Sequence, residues 1–140
     1  MLVEKVPLKN LCYIRLNSGD DVLSSLKEAV KTHGIKNAII ISGMGSVTNH
    51  HFHVVASTNL PPGDDFIKGD NPSDIVNVNG LIVNGRVHAH IIHSDRDIAY
   101  GGHLEDGVKV LTFMTIALAE IDLDLDKWDA MGRIEDLLKN

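Results

Sequence analysis

Histidines carry the chemistry legible in this sequence. The run Gly85-Arg86-Val87-His88-Ala89-His90-Ile91-Ile92-His93 is followed by Tyr100-Gly101-Gly102-His103-Leu104. His88 and His90 are two residues apart in a stretch rich in Val and Ile. On a strand, side chains at i and i+2 leave the same face, so both imidazoles should enter one space. A polar segment beginning Ser94-Asp95-Arg96-Asp97 would let the chain double back. His103, behind two glycines, could then reach that space. Three neutral imidazoles with one position left open are a typical seat for a catalytic or ligand-exchanging divalent ion. The competing reading, three ordinary polar residues on a solvated sheet face, is weakened by the i, i+2 spacing and the flanking glycines. Gly101-Gly102 suits a backbone that approaches something closely.

Other candidates carry less. His93 has the opposite strand parity from His88 and His90 and is left out of the site. His50, His51 and His53 form a second patch in which His51 and His53 share a face; they could add to the same site or face solvent, and solvent exposure is the preferred reading. Arg15, Asp95, Glu105 and Asp106 are candidates for the groups that orient ligating imidazoles, because a metal-bound histidine usually donates its other N–H to such a partner. Gly43-x-Gly45-Ser46 lacks the Lys-Ser/Thr ending and third glycine of a phosphate loop. Asp122, Asp124 and Asp126 read as a solvated segment. Cys12 reads as a buried core thiol.

The elements that must position these residues follow from patterning. Leu11–Leu16 alternates as a strand. Asn17-Ser18-Gly19-Asp20 forms a turn with Asp20 as helix N-cap, and Val22, Leu23, Leu26 and Val30 then recur at helical spacing until His33-Gly34. Asn37–Ser42 is a buried strand, and Gly43–Ser46 a tight turn after it. Asn49–Ser57 is a strand. Leu60–Pro72, with three of the chain's prolines and two glycines, is an exposed loop. Asp74–Val78 and Gly80–Val83 are strands, Asn84-Gly85 is a hairpin turn, and Val87–His93 is the histidine strand. Lys109–Ile121 is a strand by its Thr and Val content. Leu125–Asn140 is a helix with Trp128, Met131, Ile134 and Leu138 on one face. Regular strand–helix alternation is lacking, so the class is α+β, a mainly antiparallel sheet packed by two or so helices.

The bulk properties set limits. A chain of 140 residues with 44% apolar and 23% charged residues suits one domain, here 1–140. The formal net charge of −6, without a basic cluster, argues against direct DNA binding. No apolar run is long enough to cross a bilayer as a helix. A basic region followed by an apolar stretch is lacking at the start, so no signal peptide is expected, and one cysteine suits the reducing cytoplasm.

Taken together, these motifs resemble the plant- and prokaryote-conserved (PPC or PCC) domain, in its stand-alone prokaryotic form without an AT-hook. The resemblance runs from about Ile14 to Ile121. It rests on Arg15-Leu16-x-x-Gly19-x-Asp21, on Ile39-Ile40-Ile41-Ser42-Gly43-Met44-Gly45-Ser46, and most specifically on Gly85–His90 with Tyr100–Leu104. Asp74 stands where the family more often shows Glu. The resemblance implies a compact α+β homotrimer. It also implies metal binding, by zinc or a related ion, at His88, His90 and His103. A subunit contact at the site would bring Arg15 or the Leu60–Pro72 loop of a neighbouring copy beside the ion. A cupin would also show His-x-His on a strand, but its following Glu and its Pro-x-Gly-x-x-His segment are missing. Three functions are therefore carried forward. The first is a metal-binding domain open to a small anion or water. The second is a regulatory or DNA-associated module acting through partners. The third is a metal-dependent hydrolase or lyase of a small molecule.

Overall fold

The computed structural model describes residues 3–123. Eight strands and one helix make up this part: β1 (Leu8–Asn17), α1 (Val22–Thr32), β2 (Ala38–Val47), β3 (His50–Val55), β4 (Asp64–Gly69), β5 (Ser73–Val83), β6 (Arg86–Ser94), β7 (Ala99–Leu104) and β8 (Val110–Ile121). The strands form one antiparallel sheet in the order β1-β8-β2-β5-β6-β7-β3-β4. The expected class holds in its coarser form, a mainly antiparallel sheet with a helix. Among the described residues there is one helix, not two. The helix expected over Leu125–Asn140 lies outside them.

Helix α1 forms because Val22, Leu23, Leu26 and Val30 fall on one face, and all four are buried. Asp21 caps it by accepting from Ser24 N at 3.0 Å. The expectation had named Asp20, but that carboxylate accepts from Asn17 N in the preceding turn. Gly34, at φ +63°, ends the helix. The buried helix face packs with Ile40, Val78, Ile82, Ile91, Met114, Ile116 and Leu118 into one core on one side of the sheet. Leu26 is fully buried at its centre, and truncating such a side chain to alanine costs about 2–5 kcal/mol. Cys12 sits half-buried at the edge of this core rather than inside it.

Three local expectations fail, two of them because glycine marks close strand packing here as well as turns. Gly43–Ser46 is not a turn; it lies within β2, where a side chain on Gly43 would meet Val78 Cβ at 2.7 Å. The break expected at Asn79 is absent: β5 runs through it, and Gly80 lets the strand approach the carbonyl of His88 on β6. The Leu60–Pro72 loop contains β4, which pairs with β3 as the sheet's edge strand. The Asn84-Gly85 turn does appear, with φ +50° and +77°, as a hairpin with both central residues at positive φ requires.

The other face of the sheet, called outer below, has no element covering it among the described residues. A continuous cross-strand row runs along it from Leu11 through Ala119, Ile39 and Leu81 to His88. Ile39, Met44, Leu81, Ile92, Tyr13 and Phe113 are all exposed here.

Candidate metal centre

A second row of the same face carries the site. Asn79 on β5 pairs with His90 on β6, His90 with His103 on β7, His103 with His53 on β3, and His53 with Phe66 on β4. Directly opposed residues in an antiparallel sheet have Cβ atoms roughly 4.5–5.5 Å apart. Register alone therefore brings three imidazoles together, and His88, two residues before His90, supplies a fourth. The ring centroids of His88 and His103 are 4.6 Å apart, those of His90 and His103 5.4 Å, and those of His88 and His90 5.3 Å. One potential ligand atom from each of His88, His90 and His103 lies within 4.8 Å of the others.

The glycines serve the strands, not a ligand. A side chain on Gly101 would strike the Ile91 carbonyl at 2.0 Å, and one on Gly102 the His53 carbonyl at 2.3 Å. They let β7 sit tightly between β6 and β3, which puts His103 between His90 and His53.

Burial holds the His103 and His90 imidazoles below the ordinary histidine range, and the neighbouring His88 adds to the effect in both. His88 and His90 are exposed and His103 is half-buried. A pocket of about 380 Å³ opens beside them, with His53 and Gly102 in its wall.

His53 is the residue that the solvent-facing reading missed. Its Nδ1 donates to Glu105 Oε1 at 2.6 Å, and its ring stands 4.5 Å from that of His103. The local signal, His51-x-His53, was present in the sequence. The pairing of β3 with β7 that gives it meaning is long-range. His51 shares the face but donates to the Asp106 carbonyl at 2.7 Å.

Of the four groups considered as orienting partners, Glu105 takes that place, on His53. The Asp95 carboxylate accepts from the backbone N–H groups of Asp97 and Ile98 in the β6–β7 turn. Asp106 pairs with Lys27 and Ser24 at the helix. Arg15 on β1 lies against Phe113 and Asn17.

His93 points away from the site, as its parity requires. It is fully buried, contacts Ser73 Oγ at 3.0 Å, and stacks on Tyr100 at 5.5 Å. Its Nε2 has no hydrogen-bond partner. Burial, with a contribution from His50, pushes its pKa down to about 4.

The fold and this cluster define a small antiparallel-sheet domain with a histidine cluster on its outer face. The Plants and Prokaryotes Conserved (PCC) domain matches residues 4–122, and the chain belongs to that family. Among solved structures, a PPC protein from Pyrococcus horikoshii is similar at TM-score 0.73 and 23% identity, over 88% of this chain and 86% of that one. A metal-containing protein from Archaeoglobus fulgidus is similar at TM-score 0.72 and 21% identity, over 85% of each chain. A candidate DNA-binding protein from Bacteroides thetaiotaomicron follows at TM-score 0.69 and 18% identity, over 82% and 83%. At these identities the likeness is one of fold. No curated protein matches the chain.

Proposed function

We propose that this PCC-domain protein is a metal-binding protein in which His88, His90 and His103 hold one divalent ion per subunit, with zinc the first choice for three imidazoles. The observation that carries the reading is the convergence of three ligand atoms within 4.8 Å on an outward face beside a pocket. Tetrahedral zinc with bonds of about 2.0–2.1 Å needs ligating nitrogens about 3.3 Å apart, so small ring rotations close the set. The description of the Archaeoglobus neighbour as metal-containing supports it. The fourth position faces the pocket and takes water or a small anion. Zinc can lower the pKa of its water to about 7, so metal-assisted hydrolysis or lyase chemistry on a small molecule is the natural extension.

Self-association belongs to the same reading. The apolar row from Leu11 to Leu81 ends at His88, so a copy covering that face would wall the site. A homotrimer is what family membership supports. A role as a regulatory module acting through partners is the second reading, favoured by the label of the Bacteroides neighbour. The net charge of −6 weighs against this chain gripping DNA by itself. No described helix is long and apolar enough to cross a membrane. The single cysteine suits the cytoplasm.

Elemental analysis of purified protein tests the metal reading. His88→Ala combined with His90→Ala should remove the stoichiometric ion while the exposed positions leave the fold intact. Full retention of metal by a folded double variant would overturn it. Light scattering over a wide concentration range tests the assembly, and a stable monomer would exclude it.

A further inference from the structure

We infer that the outer face holds a second divalent-cation seat, formed by His53 and Glu105 with His103 shared between the two seats. The inference rests on the reading that His103 belongs to a metal site. It goes further in assigning ligands on β3 and beyond β7. Potential ligand atoms of His53, His103 and Glu105 also converge within 4.8 Å.

The placement follows from register. The Glu105 amide donates to the His51 carbonyl at 3.1 Å, so the β3–β7 ladder continues one step beyond Leu104. Glu105 thereby stays on the same face as His103, diagonal to His53. His53 and Glu105 are mostly sheltered, with side chains 20% and 25% exposed. Phe66, its ring 5.2 Å from His53, shields the imidazole from the β4 side.

Charge favours the seat. A second dication beside the first needs negative charge, and the three-imidazole set offers none. Glu105 supplies it directly. Asp64 Oδ1, 3.7 Å from His53 Nε2, adds to it from the edge strand. The donor sets also differ: three nitrogens in one seat, two nitrogens and a carboxylate in the other. His103 can serve both ions through its two ring nitrogens. With both seats filled its N–H proton leaves to solvent, and the ring bridges as imidazolate.

Chelator-treated full-length protein titrated with cobalt(II) or zinc tests this, read by calorimetry and by the visible absorption of cobalt. The wild type should take up about two ions per subunit, and the His53→Ala, Glu105→Gln double variant about one. The His88→Ala, His90→Ala variant should keep a carboxylate-containing cobalt spectrum distinct from that of the first seat. A wild type saturating at one ion, or a second event that survives in the His53/Glu105 variant, overturns the second seat. Failure of the three-histidine reading shows separately, as an unchanged first event in the His88/His90 variant. Circular dichroism of each variant confirms that it is folded.

Discussion

His53 and His103 stand directly opposite each other on β3 and β7, with ring centroids 4.5 Å apart. Neither residue is near the other in sequence, yet this pair joins the histidines of the β6–β7 region to those of β3. It makes His103 the residue common to both clusters of potential ligand atoms on the outer face.

His103→Ala should therefore abolish ion binding outright, in either seat. Losing only a group that orients a ligand costs about 10–100-fold in affinity, so losing a shared ligand should exceed about 100-fold. Calorimetric titration with zinc measures it. Unchanged affinity in a folded variant would remove His103 from the site.

His93 should make stability depend on pH. Its folded pKa lies near 4, against an ordinary 6.5. Between these values the unfolded chain binds the proton that the folded chain refuses, so stability is full above pH 6.5 and is lost as pH falls toward 4. The gap corresponds to roughly 3–4 kcal/mol as an upper bound. Urea melts of wild type and His93→Leu at pH 7 and pH 4.5 should show the smaller loss in the variant. Equal losses would refute the assignment.

Gly101→Ala should destabilise the protein by about 1–3 kcal/mol, the usual range for overpacking. The added carbon would lie 2.0 Å from the Ile91 carbonyl, so β7 must shift. His103 moves with β7, and zinc affinity should fall together with the melting temperature. A loss of stability with metal affinity untouched would show that the site tolerates the displacement.

The isolated chain should not bind duplex DNA tightly near physiological salt. Tight binding depends on cations replacing counterions at phosphates, and the net charge is −6. A filter-binding titration across salt concentrations decides it. A steep salt dependence with a preferred sequence would restore DNA as a direct ligand.

Local chemistry was readable and pairing was not. His88-Ala89-His90 announced two same-face imidazoles because parity is a property of one strand. Asn84-Gly85 announced its turn because positive φ at both residues is a local demand. The helix face was equally plain from Val22, Leu23, Leu26 and Val30. By contrast, Gly43, Gly101 and Gly102 answer to neighbouring strands, and each could be read alone only as a turn or a generic close approach. His53 was passed over for the same reason: its partners His103 and Glu105 arrive through the order β6-β7-β3, which no short window contains.

The division of labour along β6 has an evolutionary consequence. Ala89, Ile91 and His93 are buried, while His88, His90 and Ile92 are exposed. The first set faces the core, while the two histidines proposed as ligands, His88 and His90, belong to the second, so folding and the proposed ligand chemistry draw on different positions of this strand. A lineage could exchange both outward histidines for other polar residues without weakening the scaffold. The domain can thus drift out of one trade and into another while its architecture is conserved.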